Sequence, residues 1–172
     1  MSAELPPPNW PPQGRGYFAI GAERISKALN LGNIMRSGHA FGASFTFTIG
    51  ATYQALEARA DTSKGQFHLP HYNWRDRAEM ALPQGCKLVG IELTDDAIDL
   101  PSFRHPLRAA YLLGPELGSI SPDLIAACDH VVRIPTRFCI NLAMAGAIVM
   151  YDRVRSLGRF ESRPLGESGE DA

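Results

Sequence analysis

Five short apolar runs, each closed by glycine or proline and separated by stretches of helical period, set the tightest limit on how this chain can fold. GYFAIG (16–21), SFTFTIG (44–50), KLVGIEL (87–93), AAYLLG (109–114) and HVVRIP (130–135) have the length and the boundaries of buried strands. Between the first two, residues 30–41 bring Leu31, Ile34, Met35, Gly38 and Phe41 to one helical face, and Gly42 follows where a helix end favours a left-handed residue. Ser121, Pro122 and Asp123 open SPDLIAACD as a cap, a first-turn proline and a first-turn acid. The run from Asn141 to about Leu157 predicts the final helix, with a carboxamide at its head that packing alone does not require. Residues 73–82 suggest another short helix, and 51–72 a loop with a short helix. Such alternation predicts an α/β fold, a mainly parallel sheet with helices on both faces.

A parallel sheet places its ligand site at the carboxyl ends of its strands. Two of those ends stand out, LLGPELGSIS (112–121) and RIPTRFCIN (133–141), where Gly114, Gly118 and Pro135 mark sharp loops with accessible backbone. The 172 residues fit one domain. The expected division is a proline-rich arm over 1–15, the folded domain over 16–160 and an acidic tail over 161–172. No apolar stretch reaches the roughly 18 residues of a membrane span, and the N-terminus has no secretory pattern. Cys86, Cys128 and Cys139 form no close pair, which fits a reduced, cytoplasmic protein.

The net charge is −1, yet between residues 13 and 160 cations outnumber anions 16 to 13, and 14 of the 17 cations in the chain are arginine. Arginine suits bidentate phosphate contact, but an excess this small also describes an ordinary mixed surface. No glycine-rich dinucleotide fingerprint, P-loop or nucleophile elbow is present. Cys128 with His130 and His68 with His71 lack partners at zinc spacing, so no metal is expected. Taken singly, Arg36 lies about 160° from the centre of its helix's apolar stripe and reads as solvent-facing. Asn30 reads as a helix cap and Glu116 as loop decoration.

Their spacing says more. NLGNIMRSGHAFGA sets Asn30, Gly32, Arg36, Phe41 and Gly42 in the order of motif 1 of the SpoU-type RNA ribose 2′-O-methyltransferases of the SPOUT superfamily, which it resembles. YLLGPELGSISPDLIAACDHVVRIP resembles motif 2 and its continuation, with Gly114, Pro115, Glu116 and Gly118, then Asp129, Ile134 and Pro135. CINLAMAGAIVMYD resembles motif 3, usually Ser-Leu-Asn before an alanine-rich helix. The resemblance covers residues 17–158.

It implies a C-terminal deep trefoil knot, S-adenosylmethionine bound in the knot loops, an RNA substrate and a homodimer with the site near its interface. Carried over by position, Arg36 matches the catalytic arginine, and Asn30, Glu116 and Asn141 the polar motif residues. Leu113, Gly114, Gly118, Ile134 and the stretch Cys139, Ile140, Asn141 and Leu142 match the cofactor cradle, mostly through backbone groups. A guanidinium stays protonated beyond pH ~12, so Arg36 is expected to fix an RNA phosphate and stabilise the developing alkoxide rather than act as a free base. Arg137, between the last strand and motif 3, is a second candidate RNA contact.

Two departures bear on substrate and mechanism. Cys139 stands where the family has serine, a weaker hydrogen-bond partner. Only the proline-rich arm is expected ahead of the catalytic domain, with no folded RNA-binding domain, and compact members of the family often modify tRNA, so tRNA is expected over rRNA. The competing readings are an inactive RNA-binding or assembly protein of the same shape, and a flavodoxin-like nucleotide module that would carry flavin. Arg104 and His105, at the entry of the fourth run and opposite the expected site, read as structural. Ala143, Ala145, Gly146 and Ala147 in the final helix permit close backbone approach, either within the domain or across a dimer.

Overall fold

The computed structural model describes residues 16–52, 69–158 and 160; the proline-rich arm, the acidic tail and most of 51–72 lie outside the described residues. In chain order the elements are β1 (Tyr17–Glu23), α1 (Ala28–Phe41), β2 (Phe45–Ile49), β3 (His71–Trp74), β4 (Lys87–Ile91), β5 (Ile98–Asp99), β6 (Arg108–Leu113), α2 (Pro122–Ala127), β7 (His130–Arg133) and α3 (Leu142–Leu157). Short 3-10 turns cover Arg77–Glu79 and Leu100–Ser102. The strands form one seven-stranded sheet in the order β3-β2-β1-β6-β4-β7-β5, with every pairing parallel. From β1 the chain winds outward through β2 to β3, then returns to build the other half beyond β6. The order therefore reverses beside β1, and the crevice at the carboxyl ends there is where such sheets bind ligands.

All five expected strands are present, and two more, β3 and β5, join as the edges. Residues 73–82 are not a helix: their start belongs to β3, and only a single 3-10 turn follows. One sheet face packs Phe18, Ile20, Tyr111 and Leu113 against Leu31, Ile34 and Met35 of α1 and Val149 and Met150 of α3. The other packs Phe45, Phe47, Ala110 and Leu112 under Ile120 and Leu124 at α2. Helices thus cover both faces, as the alternation requires. Fully burying one such aliphatic or aromatic side chain contributes about 1.5–3 kcal/mol, so each face alone stabilises the fold substantially.

Helix α1 ends as expected, with Gly42 at φ 80° and its amide on the Gly38 and His39 carbonyls. Its start differs. The helix begins at Ala28, Asn30 lies inside the first turn, and the cap residue Lys27 gives no side-chain hydrogen bond. Helix α3 buries Leu142, Ala143, Gly146, Val149, Met150 and Arg153, the stripe expected of a helix lying on a sheet. A β-carbon on Gly146 would come within 3.1 Å of Leu113 Cδ1, so the close approach permitted by the small residues is made to the sheet. The opposite face leaves Met144, Ile148 and Tyr151 exposed. Among the described residues no helix is long and apolar enough to cross a membrane.

A buried polar cluster ties α3 to the entry ends of β1 and β6. The Arg153 guanidinium donates to the carbonyls of Tyr17, Pro106 and Leu107 and to the Tyr111 hydroxyl. His105 bridges the Tyr111 hydroxyl at 2.6 Å and Asp152 at 2.9 Å. Burial pushes the Tyr111 hydroxyl up to about 12 and the His105 imidazole below its ordinary value, although Asp152 pulls the latter upward. His105 is structural, as its position at the strand entry predicts.

Candidate active site

At the carboxyl ends of β4, β6 and β7, beside the start of α1, lies a cavity of about 320 Å³, within the range of small-molecule sites. Its walls come from four segments distant in sequence. Leu113 to Gly118 leave β6, Ile134 to Leu142 connect β7 to α3, and Lys27 and Asn30 start α1. Ile91, Glu92 and Leu93 close the side at the end of β4. Apolar walls with a few polar groups at the rim suit a ligand that is part flat and apolar, part polar.

The polar wall is one connected chain. Glu116 Oε2 accepts from the Ser26 amide and hydroxyl, each at 3.0 Å, and Oε1 accepts from the Lys27 amide at 2.9 Å and Asn30 Nδ2 at 3.2 Å. Asn30 Oδ1 in turn accepts from Asn141 Nδ2 at 3.2 Å. Asn141 Oδ1 caps α3 by accepting from the Ala143 and Met144 amides at 2.9 and 3.3 Å. This explains the uncapped start of α1: a carboxylate 89 residues further along the chain takes the Lys27 amide. A negative group there also suits the helix dipole. Burial pushes the Glu116 carboxyl upward, but the hydrogen bonds from Ser26, Lys27 and Asn30 outweigh it and hold the group below the usual carboxylate range. It is therefore ionised at neutral pH.

Of the residues singled out by sequence, Asn30, Glu116, Asn141, Leu113, Gly114, Gly118, Ile134, Cys139, Ile140 and Leu142 line this cavity. Arg36 and Arg137 do not. Arg36 is exposed on α1, and Arg137 is exposed on the loop before α3. Neither makes a hydrogen bond or ion pair with a described residue. Cys139 is exposed and lines the cavity.

Sequence reasoning passed over Glu92, Lys27, Thr136 and the pair Glu23 and Arg24. Glu92 accepts from the Leu93 and Ile120 amides at 2.9 and 2.8 Å, and Glu23 from the Ser121 amide at 2.7 Å. The usable signal was an acid at the carboxyl end of an otherwise apolar parallel strand, in FAIGAE and KLVGIE. Such strand ends face the ligand crevice, where a carboxylate is kept for a purpose.

Comparison with known proteins decides the family. The model of the SpoU rRNA methylase family matches residues 17–151. The chain belongs to the SpoU rRNA methylase family. Among SpoU relatives, the tRNA (guanosine(18)-2′-O)-methyltransferase TARBP1 of Mus musculus is 26% identical over 146 residues, which are 79% of this chain and 9% of that protein. The tRNA (guanosine(18)-2′-O)-methyltransferase of Escherichia coli K12 is 22% identical over 144 residues, 80% of this chain and 63% of the relative. The chain thus spans less than two thirds of these relatives. The SpoU methyltransferase AviRb from Streptomyces viridochromogenes, solved with AdoMet, superposes with a TM-score of 0.70 at 26% identity, covering 86% of this chain and 61% of AviRb. An AdoMet-bound rRNA methyltransferase from Sinorhizobium meliloti gives 0.71 at 26%, covering 85% of this chain and 58% of that one.

Proposed function

We propose that the cavity binds S-adenosylmethionine and that this SpoU chain, working as a homodimer, methylates a ribose 2′-hydroxyl of structured RNA, with tRNA as the substrate class. The observation that carries the reading is the Glu116–Asn30–Asn141 chain. The polar residues of three separate motifs meet on one wall of one cavity, joined by direct hydrogen bonds. The cavity also fits the cofactor chemically. Leu113, Ile134 and Leu142 offer apolar surface to an adenine, and the carboxylates of Glu92 and Glu116 offer negative charge to a sulfonium. The AdoMet complexes of two SpoU neighbours support the same ligand, and the names of the mouse and E. coli relatives support ribose methylation of tRNA.

The cofactor supplies a methyl group activated on sulfur; the rest falls to the protein. Transfer to a hydroxyl is an in-line displacement, so holding donor and acceptor in register carries much of the rate. The Glu116–Asn30–Asn141 chain does this by locking the loop after β6, the start of α1 and the start of α3 to one another. Arg36 lies six residues beyond Asn30, about 9 Å along the helix axis, and meets the substrate from outside the cavity. Its guanidinium, unpaired among the described residues, suits a phosphate beside the reacting ribose, with the lost proton passing to that phosphate or to water. Arg137 is a second phosphate contact.

The exposed stripe of Met144, Ile148 and Tyr151, with Leu29 beside Asn30, supports a dimer face that reaches the cavity mouth. The trefoil knot belongs to the same reading. It is supported by the meeting of the 113–118 and 134–142 segments at one cavity.

The test is transfer of labelled methyl from S-adenosylmethionine to RNA from cells lacking the protein, followed by mapping of the modified nucleotide. Label at a ribose of tRNA is expected; label confined to rRNA would overturn the substrate class, and no label in either would overturn the activity. Arg36→Ala should abolish transfer while changing cofactor affinity by no more than about twofold, since Arg36 stands off the cavity. Equal loss of both in a binding titration would refute the division of roles.

A further inference from the structure

The loop that leaves β6 is held at its far end by three charged side chains, of which Glu23 and Arg24 have no task at the cavity. Arg24 donates from its guanidinium to the Ser119 carbonyl at 2.8 Å. Glu92 accepts from the Ile120 amide at 2.8 Å, and Glu23 from the Ser121 amide at 2.7 Å. Three consecutive residues thus each have a main-chain group fixed by a charged side chain, and those side chains all stand at the carboxyl ends of β1 and β4. Glu23 and Arg24 also pair with one another, Nε to Oε1 at 3.4 Å. Glu23 is 5% exposed, and the Ser121 amide and the Arg24 guanidinium are the partners of its carboxylate there.

Arg24 adds a second, independent observation. Among the described residues it is the one non-glycine residue with positive φ, at 47°. Glycine adopts that conformation freely, and a residue carrying a β-carbon does not. Such strain persists where surrounding contacts over-determine it, and it gathers at ligand sites. Here the contacts are visible: the Arg24 amide is held on the Ile49 carbonyl at 2.7 Å and its guanidinium on Ser119. A plain surface turn at this point would be served better by glycine.

The two ends of the loop are mechanically joined. A β-carbon on Gly114 would lie 3.4 Å from Glu92 Oε2 and 3.5 Å from the Ile120 amide nitrogen, so the loop begins and ends against one carboxylate. Between these ends lie Gly114 to Gly118, which line the cavity, and Glu116, which binds the start of α1. Releasing residues 119–121 therefore frees the stretch that faces the ligand. Arg24 itself does not line the cavity.

We propose that Glu23 and Arg24 are positioning residues, a strained clamp that sets the 114–121 loop in its cofactor-binding shape before the cofactor arrives. The proposal rests on the reading of the cavity as an S-adenosylmethionine site. It predicts that backbone strain at Arg24 is offset by order in the loop, so that removing the strain and the guanidinium together separates stability from binding.

Arg24→Gly does this. Its thermal midpoint should stay close to that of the unmodified protein, because glycine relieves the left-handed position and so offsets the lost pair with Glu23, which keeps the Ser121 amide. Hydrogen exchange at the Ile120 and Ser121 amides, measured without ligand, should accelerate. Affinity for S-adenosylmethionine by titration calorimetry should fall about fivefold to tenfold, the loss of one charge-assisted hydrogen bond, with kcat at saturating cofactor nearly unchanged. Arg24→Lys, which keeps a cation on a comparable stem, should recover part of that affinity. Wild-type affinity and unchanged exchange in Arg24→Gly would overturn the clamp. So would a loss of affinity that merely tracks a lower thermal midpoint. Failure of the unmodified protein to bind S-adenosylmethionine would instead sink the cofactor reading, and the ligand-free exchange rates would still judge the clamp.

Discussion

Two polar networks hold helix α3 to the sheet, one at each end of β6, and they are built on opposite plans. At the entry end, Arg153 spends its donors on three carbonyls and the Tyr111 hydroxyl, and His105 joins that hydroxyl to Asp152. The Arg153 guanidinium also lies over the Phe18 and Tyr111 rings. At the exit end, the acceptors are one carboxylate and two carboxamides, and Glu116, Asn30 and Asn141 all border a cavity. The first network closes on itself. The second satisfies the backbone and leaves one side open to the cavity. A buried polar cluster of the first kind is a structural fastening; one of the second kind organises a site.

The largest effect should come from breaking the closed network. Arg153→Met keeps most of the side-chain volume but leaves the carbonyls of Tyr17, Pro106 and Leu107 without their shared donor, in a position only 4% exposed. Removing one partner of such a buried charged assembly costs roughly 3–5 kcal/mol. Urea unfolding should register that loss, while methyl transfer per folded molecule stays near the unmodified value. A matching fall in activity per folded molecule would erase the distinction between the networks.

The open network should answer in the reverse sense. Glu116→Ala removes the acceptor for the Ser26 and Lys27 amides, which lie near enough to solvent for water to replace it, so stability should drop by only about 1 kcal/mol. The start of α1 and the loop after β6 lose their mutual register, and a misplacement near 1 Å costs a displacement reaction on the order of 100-fold. Methyl transfer at saturating cofactor and RNA, compared with the urea midpoint, separates the two quantities. Intact transfer beside a large stability loss would move Glu116 into the structural class.

How much of this was legible in the chain depends on the range of the interaction. Gly42, Ser121 with Pro122, and Asn141 mark helix ends through their own backbone preferences, and the structure follows them. The five buried strands were readable because apolar runs between turn residues are a local signal. The two edge strands were not. β3 is HYNW, with His71 and Asn73 directed to the hydroxyls of Thr46 and Thr48, and β5 has two residues. Their pairing follows from neighbours rather than from their own pattern. Asn30 misled as a cap because the group that satisfies the start of α1 lies in another motif. Most residues lining the cavity's polar wall were picked out by resemblance, but their wiring was not: that Asn30 joins Glu116 to Asn141 depends on contacts spanning 86 and 111 residues. Cys139 is exposed and lines the cavity, so its replacement of serine alters a group at the cavity wall rather than one that holds the core.

The smallest effect, and the one that sets the two networks side by side, is their response to acid. Burial holds His105 below its ordinary value against the pull of Asp152, so its neutral form contributes stability above the unfolded value of about 6.5. That contribution starts to fall as pH drops below the unfolded value and is gone once pH has passed the lowered folded value. Glu116 is also held low, by the Ser26, Lys27 and Asn30 bonds that outweigh burial. Its contribution is complete above the unfolded carboxyl value of about 4.3 and is lost as pH falls through the lower folded value. The closed network should therefore loosen in mild acid, and the open one only in stronger acid. Thermal midpoints from pH 8 to pH 3 would separate them through single variants. His105→Gln should flatten the decline that begins near pH 6.5 and leave the lower limb in place, whereas Glu116→Gln should flatten only the limb below about pH 4.3. If either variant altered the other's limb, the two networks would be one cooperative unit running the length of α3.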